Sequence, residues 1–264
     1  MKMILLSTTA LMIAIALTGC KTISRIMDGS GTVYVVEIET NGPNRPELLE
    51  RIMMIIEFRM NAVGIDGEAS RSADAGNRIE VKIYGSHDPE FLRRFLFTTH
   101  RLELKKVVSP PSPSPLRTFP TREEAAVIAT TGQQVLPFKE RYVDESAPAR
   151  FVIIEKEPVV TGEDIRNAYA DSRTGSDLDY QIAFTLKKDG AEKLGEWTGR
   201  NINNYLAVVL DDNIQSVAYI KSQIFDRGEV TGHFTKADAE ELAMSLNSGY
   251  MPATMKVVED RPFK

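Results

Sequence analysis

The sequence predicts an α+β protein: a ferredoxin-like β-α-β-β-α-β base followed by a second α+β subdomain, called the head. Short segments with apolar residues at every second position predict strands, and segments with apolar residues three and four apart predict helices. A proline-rich stretch near the middle separates the two groups. Of the 264 residues, 42% are hydrophobic and 26% charged, which is typical of a globular protein with one large or two small cores.

The base is predicted over residues 32–108, and each of its six elements has a local signal. Gly64 stops the first helix, and Asp88 followed by Pro89 is an N-cap with proline at the first helical position. The predicted elements are a strand at 32–39, a helix at 46–63, an extended piece near 65–70, a strand at 78–84, a helix from 89 and a strand at 100–108.

Residues 109–148 are predicted to form a linker and an irregular segment. Four prolines between Ser109 and Pro115 cannot join a helix or a central strand, so this stretch is expected to be a stiff, extended spacer. A helix at 122–129 is the one regular element expected after it.

The head is predicted over residues 149–264. Thr161 and Thr235 resemble helix N-caps, and Asp211-Asp212-Asn213 is typical of a hairpin turn. The expected elements are strands at 151–155, 179–186, 205–210 and 214–220, helices from 161, at 190–201 and at 235–248, and a closing strand at 254–258. Whether that last strand stays in the head or returns to the base is left open.

The N-terminus predicts export and lipidation. Residues 1–19 have the layout of a signal peptide, with an apolar run too short for a bilayer, which needs about 20 residues. The run ends in Leu17-Thr18-Gly19-Cys20, which resembles the lipobox of bacterial lipoproteins. Cys20 is therefore the expected lipid attachment site, with 20–31 as a tether. The alternative is a plain signal peptide with a chance cysteine.

These features predict a location in the cell envelope, with the protein lipid-anchored to a membrane and facing the periplasm or exterior. The residue after the cysteine is Lys21 rather than aspartate, which favours the outer membrane if the cell has two. No later apolar run is long enough to span a bilayer, so the lipid is the expected anchor.

The search for chemistry indicates no enzyme and no cofactor. A net charge of −5 argues against nucleic-acid binding, and a single cysteine excludes an internal disulfide. His87, His100 and His233 lack metal-ligand spacing, and the nucleophile, zinc and phosphate-loop motifs are missing. A calcium site around Asp171, Asp177 and Asp179 is the weaker alternative to a solvated turn, because the calcium-loop spacing is missing.

A family resemblance rests on several motifs spread in order over residues 47–261. The motifs are Phe58-Arg59-Met60-Asn61-Ala62-Val63-Gly64, Asn77-Arg78-Ile79-Glu80-Val81, the segment 155–164, Phe184-Thr185-Leu186, Asp189-Gly190-Ala191, the segment 206–211, Val230-Thr231-Gly232-His233-Phe234-Thr235, the segment 248–253 and the segment 257–261. Together they resemble the first periplasmic domain of SecD, a membrane subunit that assists protein export through the Sec translocon.

The resemblance implies a non-enzymatic protein with a ferredoxin-like base and a mobile head that engages the emerging preprotein. Two motifs depart from the family: Ser216-Val217-Ala218 replaces Ser-Ala-Pro, and Tyr84-Gly85 replaces Pro-Gly. The family's six transmembrane helices have no counterpart in this sequence, so proton-driven pulling by this chain alone is not expected.

The leading functional hypothesis is an accessory of protein export that binds translocating or unfolded polypeptide, with Sec translocon subunits as further partners. The alternative is a structural or assembly lipoprotein that binds one folded envelope protein. An enzyme of unrecognised type is the third hypothesis.

Overall fold

The computed structural model describes residues 29–39, 45–73, 76–139, 148–172 and 179–264, and it confirms the α+β class. The described chain forms two compact units. Unit 1 contains the residues up to Thr98 together with Pro252–Lys264, and unit 2 contains Thr99–Met251. Among the described helices, none has the length and apolar character needed to cross a membrane.

Unit 1 is an antiparallel sheet of four strands with two helices. Its elements are β1 (Gly31–Ile38), α1 (Arg45–Ala62), β2 (Gly67–Arg71), β3 (Arg78–Tyr84), α2 (Pro89–Leu96) and β12 (Met255–Phe263). The Asp88 carboxylate accepts a hydrogen bond from the Glu90 N–H as the predicted N-cap, and Gly64 after α1 has a φ of +72°. Alternate residues of β1 and β3, such as Val36 and Val81, are fully buried on one face.

The strand order of unit 1 is β12-β1-β3-β2, which is the order of a split β-α-β fold with its fourth strand supplied from the end of the chain. The strand predicted at 100–108 as the fourth strand of the base is present as β4 (Leu102–Val107), but it pairs with strands of unit 2. The predicted base boundary at 108 is therefore wrong and lies at 98. Periodicity identifies a strand but not its partners, which explains the error.

Unit 2 combines a closed five-stranded barrel with a three-stranded sheet. The remaining elements are α3 (Arg122–Ile128), β5 (Gln133–Phe138), β6 (Arg150–Thr161), β7 (Ile165–Ser172), β8 (Tyr180–Leu186), α4 (Lys188–Arg200), β9 (Tyr205–Leu210), β10 (Asn213–Tyr219), β11 (Arg227–Phe234) and α5 (Lys236–Asn247). The barrel order is β10-β5-β6-β4-β9, and the sheet order is β11-β8-β7. One apolar cluster fills the barrel, and a larger one joins the barrel wall to the sheet, α4 and α5.

The predicted hairpin at 205–220 is confirmed. Asp211 and Asp212 form its two-residue turn, with φ of +46° and +62°. Positive φ at both central residues is typical of a type I′ turn, whose twist matches that of the flanking strands. The Asp211 carboxylate accepts hydrogen bonds from the Thr99 hydroxyl and from the Arg101 N–H, the latter at 2.9 Å. The turn is thereby tied to the start of β4.

The helix predicted from Thr161 is wrong. Thr161 and Asp164 form a capping box, but the helix is a single 3₁₀ turn, and β7 follows at once because it pairs along β8. The strands β5, β7 and β11 were not predicted by periodicity. The motif around Val230, on which the family resemblance partly rests, lies on β11.

The proline-rich stretch was also misplaced as a linker between the two halves. It lies within unit 2, where the Ser112 N–H donates to the Asn203 carbonyl at 2.8 Å. The Tyr205 hydroxyl donates to the Ser114 carbonyl at 2.8 Å. Proline removes backbone donors, but the intervening serines still bond to the barrel, so composition alone did not reveal this packing.

Candidate functional site: a groove beside an unpaired strand edge

A groove of about 720 Å³ opens in unit 2 beside the edge of β11. Its floor consists of core residues, including Leu194, Leu206 and Val208. One wall is β11 and the other is Ser216-Val217-Ala218 of β10. The groove is of the size that proteins use to bind ligands, and its lining combines an apolar floor with a comparable share of polar groups.

Among the described residues, the backbone of β11 has no ladder partner on the side away from β8. The Leu186 N–H donates to the Asp226 carbonyl, and in an antiparallel ladder such pairs recur at every second residue. Gly228 and Val230 therefore bond to β8, whereas Arg227, Glu229 and Thr231 direct their N–H and C=O groups away from β8. These three residues all line the groove.

The opposite wall, β10, bonds to β9 and touches β5 through the single pair Ile214–Phe138 among the described residues. The Cα atoms of β10 and β11 come within 8 Å where the strands are closest, yet the described residues form no ladder between them. The departure from the family's Ser-Ala-Pro motif, at Ser216-Val217-Ala218, falls on this wall.

The rim of the groove is polar, with two carboxylates. Asp171 and Glu229 line one side, and the Asp171 carboxylate accepts a long hydrogen bond of 3.4 Å from the Gln181 amide. Arg227 is exposed, and its Nε lies 3.9 Å from the Asp226 carboxylate. A segment in the groove therefore meets apolar side chains on one face and polar, partly acidic ones on the other.

Gly228 allows β11 to pack closely against the ring of Phe184. A Cβ at this position would lie 2.3 Å from Cζ of the buried Phe184, so no larger residue fits without moving that ring. The glycine lets β11 lie against Phe184, which itself lines the groove.

The other sheet edges are covered or blunted, as exposed edges usually are. Asn247 at the end of α5 accepts from the Ala168 N–H at 2.7 Å and donates to the Ala168 carbonyl at 2.8 Å, which caps β7. On β2, the Ala69 N–H donates to the Glu57 carboxylate at 3.3 Å. Edge strand β12 carries Pro262 and the charged run 259–261. The edge of β11 carries the exposed charged residues Arg227 and Glu229 and a register shift after Thr231, but the backbone groups on the side away from β8 have no ladder partner among the described residues.

Of the candidate site residues taken from the sequence, Asp171 is the one among the described lining residues of this groove. Cys20 and residues 1–28 lie outside the described residues, as does Asp177. His87 is at the turn after β3, where its Nε2 lies 3.0 Å from the Tyr84 carbonyl, whereas His100 belongs to unit 2. Within the described ranges, no group of three or more His, Cys, Asp or Glu could hold a metal ion. The groove residues were missed because an unpaired backbone edge has no signature in side-chain type.

Most of unit 2 is similar to a known family model. Residues 134–253 match the family model described as SecDF, P1 head subdomain, from within β5 to just beyond the end of unit 2 at Met251. The fold and groove thus define an α+β domain whose second unit is similar to a P1 head.

The relatives over the longer alignment are SecD proteins. The chain is 31% identical over 219 residues to protein translocase subunit SecD of Aquifex aeolicus, covering 82% of this chain and 40% of that one. It is also 31% identical over 242 residues to protein translocase subunit SecD of Elusimicrobium minutum, covering 86% and 49% respectively. The chain therefore spans less than half the length of these curated relatives.

Two solved structures share the fold. A crystal structure of SecDF in a super-membrane-facing form aligns with a TM-score of 0.66 and 21% identity, over 94% of this chain and 35% of that one. A structure of a membrane component SecDF that enhances protein export aligns with a TM-score of 0.62 and 22% identity, over 86% and 98%. At these identities the likeness concerns the fold.

Proposed function

We propose that this chain is a SecD-type periplasmic domain that binds extended polypeptide in protein export, and that it does so by adding a strand to β11. The observation that carries this proposal is the edge of β11 beside the groove, where the backbone groups of Arg227, Glu229 and Thr231 point away from β8 and have no ladder partner among the described residues. The likeness to SecD supports the setting in protein translocation.

Strand addition suits a client of varied sequence. Main-chain hydrogen bonds supply the affinity, and they do not depend on the side chains of the client. Each contributes about 0.5–1.5 kcal/mol net, so the few bonds available along β11 produce weak, reversible binding. Because β10 comes within 8 Å of β11, the added segment lies along part of β11 and does not bridge both strands.

The lining also selects a pattern. Side chains of an added strand point alternately to opposite faces. One set meets Leu194, Leu206 and Val208, and the other meets the rim with Asp171 and Glu229. Segments that alternate apolar residues with polar or basic ones are the preferred clients.

Glu229→Pro is expected to weaken binding of a short synthetic peptide that alternates valine with threonine and lysine. Proline removes the groove-facing N–H and blocks the edge, while the ladder to β8 bonds through Gly228 and Val230. We expect the dissociation constant, measured by fluorescence anisotropy, to rise roughly tenfold. Glu229→Ala is the matched control, because it removes the carboxylate and keeps the N–H. Equal affinities of the proline and alanine variants would contradict strand addition at β11.

The export role has its own test, which also separates the alternative. Photo-crosslinking residues introduced at Val217 and Thr231 in cells should trap secreted chains in transit. A membrane pull-down that recovers one stoichiometric folded envelope protein, without unfolded clients or translocon subunits, favours the structural or assembly role instead.

The lipid anchor is a separate part of the proposal. Cys20 would receive the lipid after removal of residues 1–19, holding the protein on a membrane with the folded units in the periplasm or exterior, and Lys21 favours the outer membrane. Several acyl chains contribute about 0.8 kcal/mol per buried methylene, enough for stable anchoring.

Cys20→Ala should abolish incorporation of an alkyne-labelled fatty acid and release the protein from washed membranes. Because lipidation requires only the Cys20 thiol, the groove variants should be labelled normally. Labelling that persists in Cys20→Ala would exclude this attachment site.

A further inference from the structure

The two walls of the groove are consecutive strands that do not pair. Sequential strands are neighbours in a sheet in most folds, and β10 and β11 are joined only by residues 220–226, here called the β10–β11 loop. Some of their Cα atoms lie within 8 Å of one another, yet the described residues form no ladder between the two strands.

The β10–β11 loop is fastened to α4. Thr198 is fully buried. Its hydroxyl oxygen accepts a hydrogen bond from the Ile224 N–H, with 2.9 Å between oxygen and nitrogen. The hydroxyl also lies 2.7 Å from the Leu194 carbonyl oxygen and 3.3 Å from that of Ile224. The single hydroxyl proton has the Leu194 carbonyl as its nearest acceptor, so these contacts fasten the Ile224 N–H to α4 and form what we call the Thr198 clip.

The helix surface under the loop is shaped to receive it. A Cβ on Gly195 or Gly199 would lie 3.4 and 3.6 Å from the Gln223 amide, so these glycines leave room for the Gln223 side chain against α4. Ile224 faces the groove, while its neighbours Gln223 and Phe225 line a separate depression on α4. The loop is therefore packed on α4 on one side and exposes the groove on the other.

We propose that Thr198 is a positioning residue whose clip prevents β10 and β11 from pairing with each other and so keeps the β11 edge vacant. The expected effect on peptide binding rests on the proposed function. The expected effect on the pairing of β10 with β11 does not. Without the clip, the unpaired N–H and C=O groups of the two edges are free to form a ladder.

The test is amide hydrogen exchange of the full chain without peptide, comparing Thr198→Val with Thr198→Ser and the parent protein. Valine keeps the branched shape and loses the hydroxyl, whereas serine retains it. In Thr198→Val we expect faster exchange at Ile224 and slower exchange, by roughly tenfold, at the groove-facing amides of Val217, Glu229 and Thr231. Thr198→Ser should resemble the parent.

The direction of the change distinguishes positioning from simple support. If Thr198 only stabilised the fold, its loss would speed exchange at the edge amides, and unchanged or faster exchange there overturns the proposal. Gln223→Ala, which loosens the loop without altering α4, should produce the same slowing to a smaller degree and serves if Thr198→Val does not fold.

Peptide affinity then separates the two proposals. Slower edge exchange with roughly tenfold weaker peptide binding supports both, because a self-paired edge reduces the competent fraction. Slower exchange with unchanged peptide affinity upholds the clip and contradicts strand addition at β11.

Discussion

Replacing Arg59 by methionine is expected to lower the free energy of unfolding of unit 1 by about 3–5 kcal/mol. Arg59 lies on α1 and is completely buried. Its Nη1 donates to the carbonyls of Phe95 at 3.0 Å, Leu96 at 3.2 Å and Thr98 at 2.8 Å.

The cost arises at the end of α2. The last carbonyls of a helix have no intrahelical partner and carry partial negative charge, which a buried guanidinium satisfies. Methionine fills a similar volume but leaves three carbonyls without this donor, and each buried unsatisfied group costs about 1–3 kcal/mol. Arg59→Lys keeps the charge but loses the planar donor arrangement, so an intermediate loss is expected.

Urea unfolding followed by circular dichroism measures this effect. Arg51→Met on the exposed side of the same helix is the matched control, expected to change stability by less than about 0.5 kcal/mol. Similar unfolding midpoints for Arg59→Met and Arg51→Met would show that Arg59 does not hold the end of α2.

Lys105→Met is expected to destabilise unit 2 by about 3 kcal/mol, because it leaves a carboxylate buried in the barrel without its principal partner. Lys105 and Glu103 of β4 are 4% and 8% exposed, and they pair opposite Ala207 and Val209, whose side chains fill the barrel. Lys105 Nζ lies 3.0 Å from Oε2 of Glu103.

Arg101 compensates Glu103 only in part. Its Nε is 3.7 Å from Glu103 Oε2, and its Nη2 is committed to Asp212 at 2.7 Å. Burial opposes the charge of Arg101, but Asp212 and Glu103 outweigh burial and raise the pKa of the guanidinium above its ordinary value. Arg101 therefore stays charged, and at its longer distance it cannot replace Lys105.

A double-mutant cycle provides the control for Lys105→Met. Removing both charges with Glu103→Leu and Lys105→Met should cost far less than Lys105→Met alone, since apolar replacement of a buried ion pair is often close to neutral. Thermal and urea unfolding of the four proteins measures the coupling. Additive losses would show that the pair is not coupled in the barrel.

Local signals predicted individual elements well. The Asp88-Pro89 start of α2, the stop at Gly64 and the Asp211-Asp212 turn each depend on backbone preferences of a few adjacent residues, and all are present. The sequence predicted poorly which strands pair with one another. The alternation in 102–107 is equally compatible with the base sheet and the barrel, and only the pairing of β4 with β6 and β9 decides between them.

The groove could not be predicted for a related reason. Its chemistry lies in backbone groups of Arg227, Glu229 and Thr231, which every residue except proline possesses. These backbone groups can bind a ligand only where no other strand pairs with them, and that depends on the tertiary structure. The side chains that cap other strand edges are also distant in sequence from those edges. Asn247, for example, bonds to Ala168 of β7.

The sequence by itself determined the α+β class, most helix and strand positions, the resemblance to SecD and the expectation of a lipid at Cys20, because these depend on periodicity, short motifs and local conformational preference. Only the tertiary structure decided that the fourth strand of unit 1 comes from the end of the chain and that one edge of β11 pairs with no other described strand. Both depend on long-range pairing, in which a strand takes whichever neighbouring edge the rest of the fold leaves open.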